Sequence, residues 1–135
     1  MISIDTNILV RTIVNDDPGQ SHAAQALLLK HAQDGGVRIL LIVLVETVWV
    51  LKKRYKKSKD EILDFLETLQ DIPGVILEKR SAVVQASKDW RRGSVDFTDY
   101  IILTVSQEDG CDTTYTFEKR RMGADARATT LKASS

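Results

Sequence analysis

Apolar runs too short for helices alternate along this chain with longer stretches in which apolar residues recur every three or four positions. Residues 2–4, 37–40, 75–77 and 113–116 read as short strands. Helical spacing covers 8–13, the segment from Ser21 through Ala32, 43–55, 82–90, and a stretch opened by Asp96 that runs through Ile101, Ile102 and Val105. A further helix opens at Ser58, where Glu61 three residues on completes a capping box, and carries Ile62, Leu63, Phe65, Leu66 and Leu69 on one face. Turns punctuate the pattern at Asp16-Asp17-Pro18-Gly19, Gly35-Gly36, Pro73-Gly74 and Gly93. Short strands separated by helices call for a parallel sheet covered by helices, an α/β sandwich.

At 135 residues, 43% hydrophobic and 28% charged, the chain is expected to form one domain over 1–135, with 132–135 as a loose tail. The single cysteine, Cys111, excludes an intrachain disulfide, and with only His22 and His31 beside it no zinc cluster can be assembled. The first ten residues lack the basic region and cleavage site of a secretory signal. The longest apolar run, 39–45, falls far short of the roughly 20 residues of a membrane span, so a soluble, cytoplasmic protein is expected. The formal net charge is +0, which leaves polyanion binding to local patches.

Four carboxylates come from well-separated segments. Asp5 stands where a strand gives way to a helix, an address where α/β sheets bind ligands, although an aspartate there also makes a good helix cap. Glu46 is the only charge between Ile39 and Leu51 and shares helical spacing with Ile42, Val43, Trp49 and Val50. A carboxylate on such a face needs a cation, a base or a proton. Asp96 reads as a helix cap, and Asp99 three residues on suits either the first helical turn or a site. Glu118 follows the strand TTYT by two positions. Carboxylates brought together repel unless a divalent cation neutralises them, and oxygen ligands favour Mg²⁺ or Mn²⁺ over zinc. Metal-assisted phosphodiester hydrolysis is the chemistry that fits.

The motifs MISIDTNILVR, LIVLVETVWVLKKRY, VDFTDYIIL and TTYTFEKR, in that order, resemble PIN-domain proteins, most closely VapC-type ribonuclease toxins of toxin–antitoxin pairs. The resemblance runs from Ile2 to about Met122. It implies a three-layer α/β/α sandwich with a central parallel sheet, a Mg²⁺- or Mn²⁺-dependent endoribonuclease, an antitoxin partner that blocks the site, and a homodimer. Asp5, Glu46 and Asp99 match the family's acidic ligands, while Glu118 stands where the family usually has aspartate and adds a methylene. Asn7, with Thr6, and Thr116 match supporting polar positions, and Asp96 is often acidic in these proteins.

Lys52, Lys53, Arg54, Lys56, Lys57 and Lys59 surround Tyr55, and Arg120 lies in a second basic cluster beside Glu118. Either cluster suits RNA phosphates or an antitoxin segment, and Tyr55 suits a stacked base; each lysine alone suits a solvated helix end. Trp49 and Trp90 read as core packing or a dimer contact. Two alternatives differ in class: a catalytically degenerate PIN module that binds RNA or protein without cutting, and a phosphotransfer enzyme with Asp5 as nucleophile. The latter lacks the second aspartate of a DxD pattern.

Overall fold

The computed structural model describes residues 1–134, so Ser135, the end of the expected tail, lies outside the described residues. Its contacts divide the chain into two compact units, Met1–Arg80 and Ser81–Ser135.

In the first unit, strands β1 (Ile2–Ser3), β2 (Val37–Ile39) and β3 (Val75–Leu77) pair in parallel in that order. Ile2 lies opposite Val37, and Val37 opposite Val75. Parallel strands need long crossovers, which helices supply. These are α1 (Thr6–Arg11) and α2 (Pro18–Gln33) between β1 and β2, then α3 (Leu41–Lys53) and α4 (Lys59–Asp71) between β2 and β3. Val37 and Ile39 are buried on β2, while α4 buries Ile62, Leu63, Leu66 and Leu69 at helical spacing.

Helix starts are fixed by side chains that accept otherwise unpaired N–H groups. Asp17 accepts from Gln20 N–H at 3.1 Å, with Pro18 at the first helical position, where its missing donor costs nothing. The capping box expected at α4 is present in both halves: Ser58 Oγ accepts from Glu61 N–H (3.1 Å), and Glu61 accepts from Ser58 N–H (3.0 Å). Before β3, Gly74 has φ +90°, and a Cβ there would lie 1.8 Å from the Ala32 carbonyl oxygen at the end of α2. Only glycine permits that approach.

The second unit contains α5 (Arg80–Arg92, from Ser81 onward), α6 (Phe97–Glu108), β4 (Thr114–Thr116), a 3₁₀ turn at Met122–Ala124 and β5 (Ala128–Thr130). The strands pair in parallel with Tyr115 opposite Thr129. Trp90 is buried and meets Phe97 at 5.5 Å between ring centroids, in agreement with its reading as core. β5 is a strand that the periodicity did not reveal, because Ala-Thr-Thr carries no apolar alternation. The chain reaches it through Arg127, whose guanidinium takes both oxygens of Asp125 (2.9 and 3.0 Å) and also donates to Asp89 on α5 (3.1 Å) and Thr104 on α6 (3.2 Å).

Helices and all-parallel strand pairing give the α/β class expected from the sequence, with the strands in sheets of three and two. Among the described residues no helix is long and apolar enough to cross a membrane.

Arg127→Ala leaves Asp125 and Asp89 without their guanidinium and is expected to cost about 1.5–3 kcal/mol in urea unfolding at pH 7, the range for charged hydrogen bonds. Hydrogen bonding from Arg127 holds the Asp125 carboxyl below its ordinary value against the opposing effect of burial. Its contribution is therefore full above the ordinary aspartate range and disappears as pH falls through the depressed value. The gap between wild type and variant should narrow below about pH 4.

Candidate acidic metal site

Because β1, β2 and β3 run in parallel, their carboxyl ends share one edge, where chain direction changes from strand to helix. Asp5 stands just beyond β1. Its Oδ1 accepts from Ile8 N–H at 3.1 Å, so the capping role weighed from the sequence is present, while Oδ2 accepts no bond among the described residues. Beside it a cavity of about 600 Å³ is bounded by Asp5, Asn7, Arg11 and Gln20 at polar positions and by Ile8 and Leu27 at apolar ones.

Glu46 corrects one expectation. It is exposed, and so are Ile42 (73%) and Trp49 (58%) on its face, because α3 buries the opposite arc of Leu44, Thr47, Val48 and Leu51. Desolvation therefore provides no reason for a carboxylate at this position, and Trp49 is not a core residue. At the end of α3, Lys53 and Arg54 are exposed and Lys52 is half-buried. Tyr55 is half-buried, with the Arg54 guanidinium carbon 5.8 Å from its ring centroid. The Tyr55 hydroxyl accepts from Arg11 (3.1 Å) and donates to Asp16 (3.1 Å), which also pairs with Arg11. These bonds tie the α1–α2 connection to the end of α3. Lys56 follows with φ 53°, turning the chain so that Lys57 N–H reaches the Leu51 carbonyl at 3.0 Å.

In the second unit the acidic residues gather at the start of α6. Asp96 occupies the cap position expected from the sequence, but its side chain makes no capping bond. Its Oδ1 instead lies 3.5 Å from the Arg121 guanidinium, which also donates to the Ser94 carbonyl at 3.2 Å. Asp99 is half-buried in the first turn. Burial pushes its carboxyl above the ordinary range, Asp96 and Glu118 add repulsion, and Arg121 only partly offsets them.

Glu118 behaves differently. Its Oε1 accepts from Arg120 N–H (2.8 Å), its Oε2 from Arg121 N–H (2.7 Å), and its own N–H donates to Thr116 Oγ1 (3.1 Å). Burial acts to raise its pKa, but the backbone donors of Arg120, Arg121, Met122 and Gly123 outweigh it and hold the carboxyl low. The side chain thus folds back over its own loop. Gly123 closes that loop: a Cβ there would lie 2.0 Å from the Glu118 carbonyl oxygen. No sequence spacing marks Arg121 as the partner of Asp96.

Among the described residues, no three His, Cys, Asp or Glu side chains stand as a ready metal-holding group. The donor chemistry nevertheless suits a hard divalent cation. Every candidate is a carboxylate, and Asp99 carries a charge that its neighbours disfavour and a cation would relieve.

An α/β chain with acidic side chains placed just after parallel strands meets the family model of the PIN domain over residues 2–124, and the chain belongs to the PIN domain family. Asp5, Glu46, Asp99 and Glu118 all fall within the matched residues. Among solved structures, the chain is similar to the crystal structure of Mycobacterium tuberculosis VapC20, named a sarcin–ricin loop cleaving toxin. The two share 18% identity over 95% of this chain and 97% of that one, with a TM-score of 0.43. No curated protein matches the chain.

A carboxyl with a raised pKa makes the folded state bind its proton more tightly than the unfolded chain does. Stability of the metal-free protein therefore falls as pH rises from the ordinary aspartate value through the raised one. Asp99→Asn should remove that loss, raising the metal-free Tm at pH 7.5, with no difference at pH values where wild-type Asp99 is already protonated. Thermal melts in EDTA across pH test this.

Proposed function

We propose that the protein is a Mg²⁺- or Mn²⁺-dependent endoribonuclease and the toxin of a toxin–antitoxin pair. The observation that carries this reading is Asp99, half-buried and crowded by Asp96 and Glu118, in a chain of the PIN family. The four motifs that resemble VapC-type toxins support it. In this reading Asp5, Glu46 and Asp99 are metal ligands, and Glu118 is a fourth acidic member of the site that also braces the loop carrying Arg120 and Arg121. The cation, when bound, supplies a water nucleophile at neutral pH and stabilises negative charge on the phosphate.

The protein's own groups prepare that site. Ile8 N–H fixes the rotation of the Asp5 carboxylate and leaves its second oxygen for the cation. Thr116 anchors the backbone of Glu118, and Arg121 balances Asp96. Asn7 and Thr6 belong to the turn that follows Asp5 and provide polar support. In this reading Lys52, Lys53 and Arg54 in the first unit, and Arg120 in the second, meet RNA phosphates, and Tyr55, next to Arg54 and with its hydroxyl already engaged, is a base contact. The partners in this reading are an RNA substrate, an antitoxin and a second copy of the chain, in the cytoplasm.

A second reading, a PIN module that binds without cutting, is favoured by Glu118 alone, both of whose oxygens accept backbone donors. Cleavage of a structured RNA panel separates the two. Asp5→Asn and Asp99→Asn should each reduce Mg²⁺-dependent cleavage by more than about 100-fold, the upper end of what loss of even an outer partner costs. Their circular dichroism should stay native, and EDTA should stop the wild type. Undiminished cleavage by either variant would contradict the reading; binding without cleavage by the wild type would select the second.

A further inference from the structure

α3 presents Glu46, yet its cap residue, Leu40, has no side-chain oxygen and makes no capping bond. The acceptor comes from much later in the chain. Leu41 N–H donates to Glu78 Oε1 at 2.8 Å, across 37 positions of sequence. Glu78 follows β3 directly, and its own N–H donates to the Ile39 carbonyl at 3.0 Å. Backbone and side chain of Glu78 thus grip the chain on both sides of Leu40. The other oxygen, Oε2, lies 3.9 Å from the Arg38 guanidinium on β2. A carboxylate at this point also meets the positive end of the α3 dipole.

Side chains on a helix lean toward its N-terminus, so the surface covered by Glu46 lies over the preceding turn, the one Glu78 pins at Leu41. Fraying of that turn would remove the support beneath Glu46. We propose that Glu78 is a positioning residue for the metal site, capping α3 from the end of β3 and so setting where the Glu46 carboxylate is held. This rests on the reading of Glu46 as a metal ligand. Glu78 lies in none of the four motifs, and its role depends on the parallel register that brings the end of β3 beside the start of α3.

The test is Mn²⁺ affinity, measured by titration of the full chain for wild type, Glu46→Gln, Glu78→Ala, Glu78→Gln and Ser58→Ala. Leu41 amide exchange is followed alongside as a direct report on the cap. Glu78→Ala should weaken Mn²⁺ binding about 10-fold and speed exchange at Leu41, while Glu78→Gln, which keeps an acceptor oxygen, should return affinity to within about 3-fold of wild type. Ser58→Ala removes the cap of α4, which carries no proposed ligand, and should leave Mn²⁺ affinity unchanged at a similar stability cost. Should Glu78→Ala fail to fold, Glu78→Asp keeps the charge but shortens the reach and should show the same loss in milder form. Wild-type affinity in Glu78→Ala or Glu78→Asp, or equal weakening by Ser58→Ala, would overturn the inference while Glu46→Gln still weakens binding. Unchanged affinity in Glu46→Gln, or no Mn²⁺ binding by the wild type, would instead overturn the reading of Glu46 and the inference with it.

Discussion

Backbone N–H groups left unpaired where a strand ends and the chain turns need acceptors, and in this protein carboxylates provide them at three such places. Asp5 accepts from Ile8 N–H after β1, Glu78 at the end of β3 accepts from Leu41 N–H after β2, and, in the second unit, Glu118 accepts from the amides of Arg120 and Arg121 after β4. Capping and metal binding are often weighed as rival explanations of an acidic residue. An ionised carboxylate has about four acceptor sites, so one N–H bond orients it without exhausting it. The same bond that starts a helix can therefore aim an oxygen, which is what the proposed ligand role of Asp5 requires.

Asp99 and Glu118 show how neighbouring acids come to differ. Burial acts on both to raise the pKa, but Glu118 is surrounded by backbone donors and Asp99 by other carboxylates. The first is held low and structurally committed; the second is held high and gains most from a cation. Arg121 links the two roles, because Glu118 fixes its backbone while its side chain reaches Asp96. In the proposed enzyme, Glu118 shapes the loop and Asp99 meets the metal.

Much of the fold was legible in the sequence. Hydrophobic spacing located the helices, the short runs at 2–4, 37–40 and 75–77 located the first sheet, and the Ser58 and Glu61 pair announced a capping box that is present in full. Spacing could not show which side of α3 faces the core, since Ile42 and Trp49 look as apolar in sequence as Leu44 and Leu51. The premise of a desolvated Glu46 failed for that reason. Nor could it reveal β5, fixed by the contacts of Arg127, or the cap from Glu78, which depends on strand register. Of the proposed acidic site, the motifs supply the candidate residues, but the opposite surroundings of Asp99 and Glu118 arise from backbone amides that no side-chain pattern encodes.

The central proposal is that Asp5, Glu46 and Asp99 are ligands for a divalent cation. Paramagnetic broadening of backbone amide resonances during a Mn²⁺ titration tests it most directly, because it reports each residue separately and needs no substrate. The amides flanking Asp5, Glu46 and Asp99 should broaden over the same range of Mn²⁺ concentration, ahead of exposed acidic controls such as Asp60 and Asp71. Broadening confined to one of the three segments, or spread evenly over the controls, would contradict the account.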